Sequence, residues 1–175
     1  MIVVEPSSER VDIWTDGSSA GRQKGKPGGF AFVALHGERR LERYGWLPDA
    51  TNNQMELIAI WAGLTIVRPT PLPVVVYTDS EYAKNCLTTW WKKWVRNGWK
   101  GATGGDVSNR GIIEATIPLI NKHKAAGGIR FKHVKGHSGI TENERADNLA
   151  HTARLECITN IPQIADGRLQ YPDRT

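Results

Sequence analysis

The chain has 175 residues, 39% of them hydrophobic, with 23 Lys and Arg against 18 Asp and Glu for a formal net charge of +5. A chain of this length buries roughly 70% of the surface its unfolded form exposes, so it needs no disulfide or metal staple. Its two cysteines, Cys86 and Cys157, stand far apart and lack partners at metal-ligand spacing, which argues against both a zinc site and a secreted disulfide framework.

Residues 1–9 read as an N-terminal extension with no basic-then-apolar signal, and no apolar run approaches the ~20 residues of a membrane span. A cytoplasmic, monomeric protein in a reducing compartment is expected. Val11 to Asp16 alternates and predicts a strand stopping at Gly17-Ser18. Gly21 to Gly29, rich in Gly and basic residues, reads as a loop; Gly29 to His36 and Arg39 to Leu47 then read as strands joined by a tight turn at Gly37. Asn52 or Asn53 can cap a helix running to about Arg68, where Pro69, Pro71 and Pro73 stop it. Val74 to Thr78 is a continuous β-branched run, as in a strand buried on both faces.

Helical patterns follow over Ser80 to about Asn97 and from near Asn109 to Gly127-Gly128, then a short strand over Ile129 to Val134. Thr141 and Glu144 have capping-box spacing for a last helix, Glu142 to about Glu156. The domain therefore spans 10–157, and residues 158–175 are expected to form an extended or disordered tail. The order βββαβααβα implies an α/β domain whose mixed five-stranded sheet is antiparallel over its first three strands and parallel over the last two.

The positive charge is concentrated. Tyr82 to Gly105 contains no acidic residue, and within it Trp90, Trp91, Trp94 and Trp99 interleave with Lys92, Lys93, Arg96 and Lys100. Ala115 to Thr141 is also free of acids. Solvated helix faces with core tryptophans would explain this pattern, as would a surface that tracks phosphates and offers flat rings to sugars or bases.

Four carboxylates invite a chemical reading. Asp16 ends the first strand and Asp79 the fourth, so adjacent parallel strands would project both from the carboxyl end of the sheet, where open α/β sheets bind ligands. Neighbouring carboxylates repel unless a cation neutralises them, and an oxygen-only set favours magnesium or manganese over zinc. Asp also serves turns and caps, Glu56 suits the first turns of a helix, Asp147 could be an exposed helix charge, and His137 a plain loop residue. Spacing by itself leaves both readings open.

Five blocks taken together are more specific: Thr15-Asp16-Gly17-Ser18, Thr51-Asn52-Asn53-Gln54-Met55-Glu56-Leu57, Tyr77-Thr78-Asp79-Ser80, Val134-Lys135-Gly136-His137-Ser138-Gly139, and Glu142-Asn143-Glu144-Arg145-Ala146-Asp147. In this order they resemble the ribonuclease HI family over about residues 10 to 155. The resemblance implies the ribonuclease-H-like sheet and endonucleolytic cleavage of the RNA strand of RNA–DNA hybrids, leaving 3′-hydroxyl and 5′-phosphate ends.

Carried over by position, Asp16, Glu56, Asp79 and Asp147 would hold two Mg²⁺ ions, with Mn²⁺ as a substitute and Asp16 as the bridge; one ion would orient the attacking water and the other stabilise the leaving oxygen. His137 would assist proton transfer or product departure. Gly17, Ser18, Asn52 and Asn53 would contact 2′-hydroxyls or the adjoining DNA strand, and Thr51 would help seat a DNA phosphate. Trp90, Lys92, Lys93, Trp94, Arg96, Trp99 and Lys100 match the family's basic protrusion on the DNA strand.

The loop after Asp16 is longer and more basic than the family's usual form, offering Arg22, Lys24 or Lys26 as phosphate contacts. Glu81 stands where many members carry a neutral residue, no separate hybrid-binding domain is expected before Asp12, and the tail has no counterpart. Proofreading exonucleases open with Asp-x-Glu and transposase-type sites place their Glu last; Asp16-Gly17-Ser18 and the central position of Glu56 fit neither. A silent hybrid-binding module would not need all four carboxylates.

Overall fold

In the computed structural model, which describes residues 1–21 and 25–175, the chain first lays down β1 (Val11–Ser19), β2 (Gly28–His36) and β3 (Arg39–Leu47) as an antiparallel meander. Helix α1 (Asn52–Ile66) crosses to β4 (Val74–Thr78), parallel to β1. A helical arm then comprises α2 (Glu81–Asn85), a widened turn over Cys86–Trp90, and α3 (Trp91–Arg96). Helix α4 (Arg110–Ala126) leads to β5 (Ile129–His133), parallel to β4, and α5 (Thr141–Glu156) closes the domain. The sheet order is β3-β2-β1-β4-β5, the mixed arrangement expected from the sequence.

Period-two alternation sorts the strand side chains between two layers. Ile13, Phe30, Phe32, Val74 and Val76 face α1 and α4 with Leu57, Ile58, Leu64, Ile112 and Ile113. Trp14, Val33, Leu35, Val75 and Tyr77 form the other layer with Ala146 and Leu149 of α5, and the Trp14 and Tyr77 rings stack 3.8 Å apart. Both faces of β4 are thus covered, which accounts for its unbroken apolar run. Helix α1 is buried from Met55 to Leu64, sandwiched between the sheet and α4. Arg40 and Arg145 bridge Glu142 and Glu42 at 2.8 Å, tying α5 to β3; the Arg145 guanidinium, with Arg40, holds the Glu42 carboxyl below its ordinary value.

The structure corrects four local expectations. Strand β1 runs past Gly17 to Ser19 because β2 goes on pairing with it, Ser18 opposite Gly29. Thr51, rather than Asn52 or Asn53, caps α1: its hydroxyl accepts from Gln54 N–H, and the Gln54 side chain accepts from Thr51 N–H. The Thr141–Glu144 capping box does not form, because α5 starts one residue earlier, at Thr141; Glu144 Oε1 accepts from Gly139 N–H instead, at 3.3 Å.

The fourth correction concerns residues 158–175, which pack on the domain rather than lying free. Asn160 and Thr159 bond to Tyr44 on the β3 edge, Ile161 is fully buried, α6 (Pro162–Ala165) follows, and Tyr171 packs edge-on against Phe30. An exposed strand edge offers unpaired backbone groups, and this segment covers part of that edge. Among the described residues no helix is long and apolar enough to cross a membrane.

Candidate active site

At the carboxyl end of β1 and β4 a cleft of about 430 Å³ is lined by Asp16, Glu56, Asp79, Asp147, His137 and Asn52, together with Gly17, Ser18, Ser19, Ser80 and Gly136. The parallel register Trp14↔Tyr77 carries Asp16 and Asp79 to the same end, two residues beyond each partner. Asp79 sits between Thr78, the last residue of β4, and Ser80, whose hydroxyl caps α2 by accepting from Ala83 N–H at 3.0 Å. Its carboxylate is therefore held where strand turns into helix.

Glycine allows two close approaches. A Cβ on Gly17 would lie 2.5 Å from Glu56 N and 2.6 Å from the Met55 carbonyl carbon, so β1 and α1 touch backbone to backbone where Glu56 enters the site. A Cβ on Gly136 would lie 2.7 Å from Asp79 Oδ2, so the His137 loop can fold onto that carboxylate. Gly17→Ala is expected to cost about 2 kcal/mol through forced separation of strand and helix, lowering Tm by about 6 °C, as thermal melting would record.

Asp16, Glu56 and Asp79 each bring a carboxylate oxygen within 4.8 Å of the others, and Asp16 and Glu56 are only 4% and 3% exposed. Burial, then the charges of Asp79 and Asp147, push the Asp16 carboxyl up to about 8. Burial and the charge on Asp16 hold Glu56 well above its ordinary value. Asp79 is raised by burial first and by Asp147 second. Glu56 Oε2 is buried with no hydrogen-bond partner among the described residues, while its Oε1 has only a 3.5 Å contact from Asn52 Nδ2. Three desolvated carboxylates and an orphaned oxygen are the donor set a hard divalent cation takes, so these residues fit such an ion.

His137 stands at the exposed rim with φ +51°, its Nδ1 3.9 Å from Asp147 Oδ2. Ser18 accepts from Arg154 Nε at 3.1 Å. Asn53 and Thr51 do not line the cleft but a neighbouring groove, which Asn52 lines as well. Arg22 and Lys24 lie outside the described residues, and neither Lys26 nor Glu81 lines the cleft. Sequence reasoning passed over Glu144, which groups with His137 and Asp147 within 4.8 Å; its i, i+3 spacing to Asp147 on α5 was the available signal.

On the helical arm and its following loop, Lys92, Lys93, Arg96 and Trp90 are exposed and Trp94 is half-buried. Lys100 is exposed too, but it pairs with Asp106. Trp99 departs from the expected nucleic-acid set. It is buried, tilted against Trp94, and covered by the Arg110 guanidinium 5.0 Å above its ring, so it packs within the arm and offers little ring surface to a ligand.

The model of the family RNase H matches residues 8–154. A Ribonuclease H of Granulibacter bethesdensis is 38% identical over 156 residues, covering 89% of this chain and 99% of its own. One of Saccharopolyspora erythraea is 40% identical over 147 residues, covering 83% and 91%. Among solved structures, LC9-RNase H1, described as a type 1 RNase H with the type 2 active-site motif, is similar at TM-score 0.65 and 25% identity over 91% of this chain and 77% of that one. RNase H1 from the archaeon Halobacterium salinarum shares the fold at TM-score 0.58 and 21% identity over 84% of this chain and 98% of its own. With a family model spanning most of its length and relatives near 40% identity matching almost end to end, the chain belongs to the ribonuclease H family.

Proposed function

We propose that this ribonuclease H cuts the RNA strand of RNA–DNA hybrids endonucleolytically, leaving 3′-hydroxyl and 5′-phosphate ends, with magnesium held by Asp16, Glu56, Asp79 and Asp147. The observation that carries the reading is the convergence of Asp16, Glu56 and Asp79, the first two buried and the third half-buried, none of them in a salt bridge among the described residues and with one Glu56 oxygen unpaired. When bound, two ions would supply a water nucleophile at neutral pH and stabilise the leaving oxygen of an in-line displacement.

The chain's own residues set the conditions for that chemistry. The charge of Asp16 acts on Glu56, and the charges of Asp79 and Asp147 act on Asp16, so these four carboxylates would hold the cations together. Without cations these carboxylates hold protons or repel one another, and once ionised they would also repel a phosphodiester. His137, exposed on a Gly-flanked loop beside Asp147, is free to carry a proton to or from the reacting oxygens. The Gly17 and Ser18 backbone and the Asn52 amide, which line the cleft, would read 2′-hydroxyls, while Asn53 and Thr51 would meet the adjoining strand.

One end-labelled RNA, presented alone, paired to DNA and paired to RNA, with magnesium or with chelator, tests the reading. Cutting confined to the hybrid and abolished by chelator is expected; equal cutting of all three would sink it. A related expectation concerns the arm. Replacing Lys92, Lys93, Arg96 and Lys100 by Ala should flatten the dependence of log Kd on log salt by up to ~0.9 for each phosphate no longer neutralised. Lys100 should contribute least, since Asp106 already pairs with it.

A further inference from the structure

Beside the carboxylate cleft lies a larger groove of about 1060 Å³ that shares Ser19 and Asn52 with it. Residues 49–54 and 106–109 form two of its walls, and the tail supplies Arg174 and Thr175. Arg174 is the one cation among the described lining residues, and it lies beyond residue 154, where the family match ends. The tail thus brings to this groove a charge that the matched domain does not supply there.

The placement is built in at several points. Tyr171 packs on Phe30 and Trp61, anchoring the segment three residues earlier. A Cβ on Gly111 would collide with Asp173 O, so the tail passes over α4 at a glycine, where Gly111 N–H donates to Thr175 O at 3.0 Å. Gln54 Nε2 donates to Arg174 O at 3.4 Å. The guanidinium is oriented by main-chain carbonyls alone: Arg174 Nη1 donates to Pro48 O at 3.0 Å and Asp49 O at 3.2 Å.

The charge is therefore held in place by neutral partners. Of the acids of the groove, Asp106 pairs with Lys100, and Asp49 turns its Oδ1 to Gly25 N–H at 2.7 Å and forms no salt bridge among the described residues. Among the described residues Arg174 makes no salt bridge, and its Nε and Nη2 donors make no hydrogen bond. A half-buried guanidinium fork with donors to spare, in a groove joined to a nuclease cleft, matches the two non-bridging oxygens of a phosphodiester.

The family resemblance already implies that Thr51, in this groove, helps seat a DNA phosphate; we propose that Arg174 is a further, cationic ligand of that phosphate, the tail acting as part of the substrate surface. The proposal rests on the hybrid-cleavage reading of the neighbouring cleft. Its consequence is register: a phosphate fixed here sets which phosphodiester reaches the carboxylates.

The test compares the full chain with Arg174→Ala and Arg174→Lys, each in an Asp16→Asn background, for binding to hybrids in which one phosphate at a time, on either strand, is a neutral methylphosphonate. Arg174→Ala should weaken hybrid binding roughly tenfold and reduce the salt slope by the share of one phosphate, ~0.7 to 0.9. One methylphosphonate position should weaken binding to the parent and have no further effect on Arg174→Ala. Arg174→Lys should recover only part of the affinity, since it restores the charge but not the fork.

Binding and salt slope equal to the parent's, or a loss spread evenly over all phosphate positions with a lowered Tm, would overturn the proposal. If wild type cuts hybrids and no single position couples to Arg174, the seat fails and the cleavage reading stands. If wild type cuts no hybrid while one position still couples to Arg174, the cleavage reading fails and the phosphate seat stands.

Discussion

Asp16→Asn is expected to lower hybrid cleavage by about 10³-fold or more and, in the metal-free protein at neutral to alkaline pH, to raise the melting temperature. The activity loss follows from the role proposed for the carboxylate. Metal-centred charge stabilisation contributes several kcal/mol to such a transition state, and about 4 kcal/mol corresponds to three decades of rate. His137→Ala should cost far less, because an exposed imidazole 3.9 Å from Asp147 can be replaced in part by water.

The stability gain has the opposite origin. Burial lifts the folded-state Asp16 carboxyl from 3.8 to about 8, so the native chain binds the proton more tightly than the unfolded chain does. Its contribution to stability is full below about 3.8 and is lost as pH rises through about 8. Asn carries no charge at any pH, so the variant should melt higher than wild type near pH 8 and lose that advantage toward pH 4. Magnesium should reverse the wild-type trend, because a cation binds the ionised carboxylates and stabilises the folded state by about 2.7 kcal/mol at a hundredfold excess over Kd. Melting curves across pH, with magnesium and with chelator, check both signs. An Asn variant that cuts like wild type would remove Asp16 from the site.

The tail carries the second large effect. Ile161→Ala and Tyr171→Ala should each destabilise the protein by about 3 kcal/mol, a fall of about 9 °C in Tm for a chain of this size. Ile161 is fully buried, and Tyr171 lies 5.8 Å from the Phe30 ring and 6.1 Å from that of Trp61. Burial lifts the Tyr171 phenol to about 12, as expected of a hydroxyl taken out of water. Ile161 touches neither cleft nor groove, so its variant should cleave hybrid at the wild-type rate well below its melting point. Unchanged melting in both variants would mean that the segment is not packed in solution.

How much of this was legible in the sequence depends on whether the signal was local. The strand positions and the two-faced burial of β4 could be read because alternation and β-branched runs act within a few residues. The four carboxylates could be singled out because each sits in a short, contiguous sequence block, Asp16 and Asp79 at the carboxyl ends of β1 and β4, Glu56 and Asp147 within α1 and α5. The tail could not. Ile161 and Tyr171 are isolated apolar residues among Pro, Gly and polar neighbours, and only the edge of β3 and the surface of α1 give them a place to go. Trp99 was misread for a related reason: composition grouped it with exposed basic residues, whereas its positive φ turns the loop back and buries the ring. Thr51 was displaced as a cap candidate by the Asn pair after it, although the Thr51-x-x-Gln54 spacing was present.

The widened turn at Cys86–Trp90 lets the basic arm hold an extra residue without changing the face it presents. Trp91 N–H donates to Cys86 O, five residues back instead of four, so the turn holds one residue more than a regular helix would. A single residue is worth about 100° of helical rotation. The wider turn takes up that rotation, so Lys92, Lys93 and Arg96 keep nearly the phase relative to α2, which Ser80 fixes beside Asp79, that a regular helix one residue shorter would give them. The arm thus carries one residue more without its cationic face rotating away from the phase set by the cutting centre.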